Sequence, residues 1–382
     1  MELKKYKLGD IAKIEISGVD KKSVDGETPV RLCNFVDVYR NWAITQKLSE
    51  NFMIASAKET EIAKCSIHKG KVAITKDSET RDDIGIPAYI ADDFDNVLLG
   101  YHCALITPND DVLDGKYLNA FMHTRYIQKY FENNASGSGQ RYTLSNETIF
   151  QIPILLPSLE VQKAIGNLLS NIDRKIELNR QINDNLEKMA KQLYDYWFVQ
   201  FDFPNENGRP YKSSGGAMVW NEKLKREIPK EWDNCTLEYY LIIKNGRDHK
   251  HLGNGIYPVY GSGGEIRKVD SFIYSGESIL MPRKGSLNNI MYVNDAFWSV
   301  DTMFYSEMKQ PHCAKYVFYS IKDIDFTRWD SGTGVPSMTS STLYSILLVK
   351  PDADSLAKFD EIITPLFLMI KKNEMQIVEL TK

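Results

Sequence analysis

Residues 158–198 read SLEVQKAIGNLLSNIDRKIELNRQINDNLEKMAKQLYDYWF. Pro157 precedes the stretch, and Ser158 is placed to cap a helix that begins after it. Apolar residues then recur with heptad spacing, at Ile165, Leu168, Ile172, Ile182, Leu186, Met189, Leu193 and Tyr196. This spacing predicts the seam of a coiled coil, interrupted at Lys175 and Asn179. At ~1.5 Å per residue the helix is on the order of 60 Å long, so it needs a partner helix to bury its seam.

A second heptad pattern lies at the end of the chain, at Phe359, Ile362, Leu366, Met369, Asn373 and Leu380. It overlays the first pattern when Phe359 is aligned with Ile165, and Asn373 then falls on Asn179. A single Asn in a seam fixes the register of a coiled coil at some cost in stability, so we assign this role to Asn179 and Asn373. Pro365 removes one backbone hydrogen bond and predicts a bend in the second helix.

The repeat extends to the segments before the two helices. Each segment runs from a Gly-rich loop (Ser136–Gly139 and Ser331–Gly334) through a β-rich apolar run to a proline. Further upstream, Lys116-Tyr117-Leu118 resembles Lys315-Tyr316-Val317. A repeat of this length predicts two whole domains, each followed by one long helix.

The predicted fold class is therefore α+β, with two similar β-rich domains whose long helices pair as a coiled coil. We divide the chain into a first domain at 1–157, a central helix at 158–198, a connector at 199–230, a second domain at 231–351 and a C-terminal helix at 352–382. In the first domain, the apolar pattern also predicts one helix over Lys116–Phe131.

Composition fits a two-domain protein of the cytoplasm. The chain has 382 residues and is 43% hydrophobic, which is ample for two cores. The first residues are charged and no apolar run is long enough to cross a membrane, so we expect neither a signal peptide nor a membrane span. The five cysteines are odd in number and scattered, which favours a reducing compartment, and Cys33, Cys65 and Cys103 are predicted to be buried.

Two polar loops follow equivalent predicted strands. One runs from Lys76 to Arg81 and the other from Arg283 to Asn289, and both are rich in hydrogen-bond donors. Because Arg, Lys, Asn and Ser contact phosphates and base edges, we predict DNA contacts here. An ordinary polar surface loop is the alternative. The predicted DNA-binding residues are Lys76, Ser78, Arg81, Gln140, Arg141, Arg283, Lys284, Ser286, Asn288 and Asn289.

Catalytic signatures are missing from the sequence. It contains no recognisable Ser/His/Asp spacing, no phosphate-binding loop and no methyl-donor motif. His249 and His251 alternate as on one side of a strand, but no nearby Cys or second His pair completes a metal site. We therefore expect a non-catalytic protein without cofactor or metal. Its net charge of −4 is unusual for a protein that binds DNA alone.

Several motifs in fixed order carry a family resemblance. They are Leu8-Gly9-Asp10-Ile11, the Gly-rich loops, Leu155-Leu156-Pro157-Ser158-Leu159-Glu160, Tyr196-Trp197-Phe198 with Phe201-Asp202-Phe203-Pro204, and Tyr257-Pro258-Val259-Tyr260-Gly261. With these motifs, the chain resembles the specificity subunit (HsdS) of type I restriction–modification systems along its whole length.

The resemblance implies a function. The two domains would be target-recognition domains, each reading half of a split site in double-stranded DNA, and the helices would pair antiparallel as a spacer. Two subunits of an adenine-N6 methyltransferase would dock on this scaffold, and restriction subunits would join them. Two recognition domains on a stiff spacer could bind two half-sites that lie one helical turn of DNA, ~10 bp, apart. The alternative is a coiled-coil adaptor that binds proteins and has no DNA sequence preference.

Overall fold

A computed structural model describes residues 3–20, 22–138, 141–329 and 336–381. The chain forms two compact units, Met1–Leu178 and Asn179–Lys382. The Gly-rich loop before the second helix, and the last residue of the loop before the first, lie outside the described residues. The mixed sheets and long helices confirm the predicted α+β class. The five-segment division remains a prediction.

The strands of the first unit belong to four small sheets. Their bounds are β1 Lys4–Lys7, β2 Ala12–Ile16, β3 Thr28–Cys33, β4 Ala43–Ile44, β5 Met53–Ala57, β6 Val72–Thr75, β7 Asp77–Ser78, β8 Pro87–Ile90, β9 Val97–Leu99, β10 Cys103–Pro108, β11 Ser136–Ser138, β12 Arg141–Thr143 and β13 Pro153–Leu156. The sheet orders are β2-β10-β6-β8-β4, β5-β3-β9, β11-β12-β7 and β1-β13.

The helices of the first unit are α1 Leu8–Ile11, α2 Phe35–Arg40, α3 Gln46–Ser49, α4 Glu59–Cys65, α5 Gly115–Met122, α6 Arg125–Asn134, α7 Asn146–Phe150 and the long α8 Leu159–Tyr194, which continues into the second unit. The single helix predicted over Lys116–Phe131 is wrong. Thr124 has extended backbone angles, so it ends α5 and starts α6 as a separate helix.

The five-stranded sheet is buried on both faces, which explains its continuous apolar strands. In β10, Ala104 and Ile106 enter one hydrophobic cluster, while Cys103 and Leu105 enter another on the opposite face. Cys33 and Cys65 are also buried, as the sequence predicted.

The second unit repeats this plan. Its strands are β14 Met218–Asn221, β15 Arg226–Pro229, β16 Asp233–Thr236, β17 Leu241–Asn245, β18 Asn254–Gly261, β19 Gly264–Val269, β20 Tyr274–Pro282, β21 Met291–Ser299, β22 Met303–Met308 and β23 Leu347–Lys350. Its helices are α9 Ala314–Lys322, α10 Ser340–Tyr344 and α11 Ala353–Leu380. The main sheet has the order β17-β22-β20-β21-β18-β19. Within the described chain, no helix is long and apolar enough to cross a membrane.

Hydrogen bonds at matching positions confirm the duplication. The N–H of Leu8 donates to Ile152 O at 2.9 Å, and that of Leu237 donates to Ile346 O at 2.8 Å. These bonds adjoin the antiparallel pairs β1–β13 and β16–β23. Each pair brings the beginning of a domain beside the strand that leads into its long helix.

The matching Lys-Tyr motifs hold each long helix in place. The Tyr117 hydroxyl donates to Leu155 O at 2.5 Å, and the Tyr316 hydroxyl donates to Val349 O. Lys116 Nζ donates to Asn167 Oδ1 of α8 at 2.8 Å. These bonds give a physical reason for the repeated Lys-Tyr pair.

Lys315 makes the corresponding contact in the second unit. It is buried, and its Nζ lies 2.7 Å from Glu277 Oε1 and 2.8 Å from Asp360 Oδ1 of α11. Burial alone would raise the pKa of Asp360, but hydrogen bonds from Lys315 and His312 outweigh it and hold this pKa below its ordinary value. The ion pairs therefore fasten α11 to α9 and β20.

Helix α11 pairs antiparallel with the part of α8 in the second unit. Asn179 Nδ2 donates to Gln376 Oε1 at 3.2 Å, and Asn373 Nδ2 donates to Asn183 Oδ1 at 2.8 Å. Farther along, the rings of Trp197 and Phe359 are 5.7 Å apart. Residue numbers therefore increase along α8 in the direction in which they decrease along α11, so the two helices are antiparallel. Asn179 and Asn373 are both buried, but they bond to different partners and not to each other. Their role in register remains a prediction.

The predicted seam has the wrong phase in places. Ile182, Met189 and Tyr196 are 40%, 53% and 37% exposed, whereas the residues that follow each of them are buried. The buried or half-buried seam in this unit comprises Asn179, Asn183, Leu186, Ala190 and Leu193 of α8, and Trp197 of the π-helical turn Asp195–Val199 that follows it. In α11 it is Leu356, Phe359, Ile363, Leu366, Ile370, Asn373 and Ile377. In the pairs Ile182/Asn183 and Met189/Ala190, choosing the larger apolar residue therefore selects the exposed one. Leu168, Ile362 and Met369 are likewise exposed.

The two flanks of this helix pair differ. On one flank, the Tyr194 ring stacks on Tyr319 at 5.6 Å, and Phe367 meets Tyr292 at 4.9 Å, so the domain covers it. The residues just before each seam position lie on the other flank. We call this set the apolar flank: Ile182, Met189, Tyr196, Ile362 and Met369. All five are exposed.

The corrected seam makes a prediction for two adjacent residues. Ala190→Asp places a charge at a fully buried position (0% exposed), and we expect a loss of about 3–5 kcal/mol of stability. Met189→Asp changes an exposed position, and we expect a change within about 0.5 kcal/mol. Thermal denaturation followed by circular dichroism measures both. A larger loss for Met189→Asp than for Ala190→Asp would restore the phase predicted from sequence.

Candidate nucleic-acid interface

The first polar loop is part of a small sheet. After β6 the chain forms β7, in which Ser78 pairs with Tyr142 and Asp77 with Thr143 of β12. The N–H of Lys76 donates to His102 O at 2.8 Å, and Lys76 O accepts from Leu144 N at 2.9 Å. The loop is thus fixed by backbone bonds on both sides.

This sheet brings several predicted residues together. The Arg81 guanidinium lies 5.0 Å from the ring centroid of Tyr142, and Arg141 Nη2 lies 3.5 Å from Asp77 Oδ2. Arg81 and Arg141 are exposed, whereas Lys76 and Ser78 are partly buried. Gln140 lies outside the described residues.

His102 belongs to the same cluster, and the sequence did not indicate it. Its Nδ1 contacts the Asp77 carboxylate, and both of its ring nitrogens lie 3.0 Å from Arg141 Nη2. His102 lies in the turn before β10 and has a positive φ of 67°, which is uncommon for a residue other than glycine. Its distance along the chain from the polar loop concealed the contact, and no sequence motif marks it.

The second polar loop has the same backbone connections. The N–H of Arg283 donates to Thr302 O at 2.8 Å, Arg283 O accepts from Met338 N at 2.9 Å, and Lys284 pairs with Ser337. These bonds match those of Lys76 with His102 and Leu144. The structure therefore confirms that the two loops occupy equivalent places in the two domains.

The predicted residues of the second loop fall into two groups. Arg283, Lys284 and Ser286 are exposed. The side chains of Asn288 and Asn289 bond within the unit. Asn288 Oδ1 accepts from Phe326 N at 2.8 Å, and Asn289 Nδ2 donates to Ser262 O at 2.8 Å. The two amides therefore shape the loop, and the first group offers the more available donors.

A concavity and an exposed tryptophan lie near the second loop, and the sequence did not single them out. Gly285, Ser286, Asn288, Asn289, Thr327 and Pro336 line an open concavity. Hydrogen bonds from Thr327 and Asn288 lower the pKa of Asp325 beside it. The Trp329 ring is 43% exposed and rests edge-on against Phe326. An exposed aromatic ring beside cationic loops suits contact with bases.

Together, the duplicated α+β units, their equivalent cationic loops and the paired helices define a DNA-specificity class of protein. Residues 1–188 match the family model described as the type I restriction modification DNA specificity domain. The chain is similar to the specificity subunits of type I restriction–modification systems.

Individual relatives agree with this family. The MjaIX specificity subunit of Methanocaldococcus jannaschii is 25% identical over 362 residues, covering 85% of this chain and 78% of that protein. The HindI specificity subunit of Haemophilus influenzae is 31% identical over 141 residues, covering 37% of this chain and 30% of the relative. The crystal structure of the type I S subunit from M. genitalium has the same fold, with a TM-score of 0.67, 15% identity, and coverage of 100% of this chain and 93% of that one.

Proposed function

We propose that this chain is the DNA-reading subunit of a type I restriction–modification complex, and that each domain reads one half of a split target. The observation that carries the proposal is the pair of equivalent loops. Lys76 and Arg283 hold the same place in their domains, and exposed cations lie beside each of them. Guanidinium, ammonium and hydroxyl donors are the groups that contact phosphates and base edges. The relatives are named as specificity subunits of type I restriction enzymes, which supports the same role.

In this proposal, the partner subunits carry out methylation and cleavage of the DNA. Methylation of an adenine in duplex DNA requires that the base be flipped into an active site, which we assign to methyltransferase subunits. The net charge of −4 also favours partners that supply many of the phosphate contacts. Restriction subunits would join the same complex to cleave DNA.

We assign methyltransferase docking to the apolar flank. Its residues stay exposed although the seam and the opposite flank are covered. Near one end, Met189, Gln192, Leu193, Asp195, Tyr196 and Gln200 line an open concavity. Exposed apolar residues rimmed by polar ones are typical of protein–protein contacts. A helix from a methyltransferase subunit would cover the flank and extend the pair into a bundle.

One substitution tests this docking surface. Met189→Asp places a charge on the flank, and we expect it to weaken assembly with the methyltransferase by about tenfold or more. Met375→Asp makes the same substitution at an exposed position of α11 that faces away from the seam and is not part of the apolar flank, so it serves as the matched control. Analytical ultracentrifugation of the mixed subunits measures assembly. If both variants assembled equally well with the methyltransferase, the assignment of the docking site to the apolar flank would be wrong.

The function itself is tested by selecting DNA from a random duplex library with the assembled complex. We expect two short sequence blocks separated by a gap of fixed length. The double variant Arg283→Ala with Lys284→Ala should weaken binding by about tenfold or more and lose preference in one block, because it removes the exposed donors of one loop. The double variant Lys223→Ala with Lys225→Ala removes two exposed cations elsewhere in the same unit and should keep both blocks. A wild-type complex without sequence preference would instead support the protein-binding adaptor.

A further inference from the structure

We propose that Arg141 reads a guanine in the half-site bound by the first domain, and that Asp77 and His102 are its positioning residues. The inference rests on the proposed function and names a base for one of its two loops. The Arg141 side chain is 61% exposed, whereas that of Asp77 is 16% exposed. The arginine is therefore the member of the cluster that a DNA duplex can reach.

The hydrogen-bonding capacities of the three side chains fix their roles. A carboxylate only accepts, so the Nδ1–H of His102 donates to Asp77. Arg141 Nη2 lies 3.0 Å from both ring nitrogens of His102, so the guanidinium rests against the imidazole that Asp77 orients. Among the described residues, the polar contacts of the guanidinium run through Nη2. Nε, Nη1 and the second hydrogen of Nη2 remain to donate to a ligand.

The remaining donors of the Arg141 guanidinium suit guanine. Guanine presents two acceptors, O6 and N7, in the major groove, and a guanidinium donates to both at once. Adenine presents a donor beside N7, and cytosine presents a donor, so neither accepts two such bonds. Because Asp77 and His102 already hold the guanidinium, less side-chain freedom is lost when it binds.

The position of Asp77 argues against a phosphate as the main partner of Arg141. Its carboxylate oxygen lies 3.5 Å from Nη2, so a phosphate oxygen at the arginine would also approach a second anion. The acceptors of guanine carry no full charge and are not repelled in this way. Arg81 lies over Tyr142 and has no carboxylate partner among the described residues, so it is the better candidate for phosphate contact in the same sheet.

The second domain provides an internal comparison. At the positions equivalent to Asp77 and His102 it carries Lys284 and Thr302. A lysine cannot accept a hydrogen bond from an arginine, so this positioning device belongs to the first domain. The two domains therefore present different chemistry at equivalent sites.

The test uses the full chain assembled with its methyltransferase and a random duplex library as the probe. We expect a guanine in one block of the selected sequence. Arg141→Lys keeps the charge but lacks the two parallel donors, and it should lower preference for that guanine by about 5- to 150-fold while the other block is unchanged. Asp77→Asn should reduce the same preference by a smaller factor. Arg125→Lys, at an exposed arginine elsewhere in the first unit, is the matched control and should retain it.

A duplex with a modified base tests the contact to guanine directly. Replacing the selected guanine with 7-deazaguanine removes the N7 acceptor, so it should weaken the wild-type complex and leave Arg141→Ala, which has no donor at this position, nearly unaffected. Unchanged sequence preference of Arg141→Lys, or an equal loss at every position of both blocks, would overturn the guanine assignment while leaving the two-block function intact. A wild-type complex that selects no sequence at all would instead overturn the proposed function.

Discussion

Burial of the seam between α8 and α11 is the interaction on which the second unit depends. Neither helix could keep its apolar stripe in water as a stable isolated rod, because most helical stability in proteins comes from packing of such a stripe. Phe359, Ile363 and Leu186 are buried in it, and each apolar side chain of this kind contributes about 1.5–3 kcal/mol when removed from water. Asn183 and Asn373 bond to each other within the same seam. Apolar burial stabilises the pair, and we predict that the buried amides favour one alignment over shifted ones.

The paired helices have two flanks, and this allows them to pack against the second domain on one side and, in the proposed function, against a partner subunit on the other. Tyr194 and Phe367 attach one flank to the aromatic core of the second domain, and the Lys315 ion pairs add a polar attachment nearby. The opposite flank keeps Met189 and Met369 exposed. Methionine is flexible and adapts to different surfaces, which suits a contact made after folding. We therefore assign sequence reading to the domains and subunit assembly to the rod.

Much of this architecture could be predicted from sequence because duplication repeats physical requirements. Lys116-Tyr117 and Lys315-Tyr316 recur because each tyrosine bonds to the strand that leads into a long helix, and each lysine reaches that helix. The equivalence of the two polar loops was predicted for the same reason. The phase of the seam was not, because apolar Ile182 and Met189 beside polar Asn183 and small Ala190 favour the wrong residues when burial is judged by side chain alone.

The candidate site was only partly predictable. Composition identified the loops, but it could not distinguish Arg283, which is exposed, from Asn289, whose amide bonds to the Ser262 carbonyl. His102 was missed because its place beside Asp77 and Arg141 depends on the fold and on a left-handed backbone turn. Contacts between residues distant in sequence require the tertiary structure, and they decide which donors can face DNA.

In the proposed function, the length of the paired helices would set the unread gap between the two half-sites. The most direct measurement inserts one heptad between Asn183 and Asp184 of α8 and another between Lys372 and Asn373 of α11, which keeps the antiparallel seam in phase. Seven helical residues add about 10 Å, or about three base pairs of B-DNA. Methylation mapping of cells carrying this variant should show the same two sequence blocks with the gap longer by about that amount. An unchanged gap with both blocks intact would contradict the account.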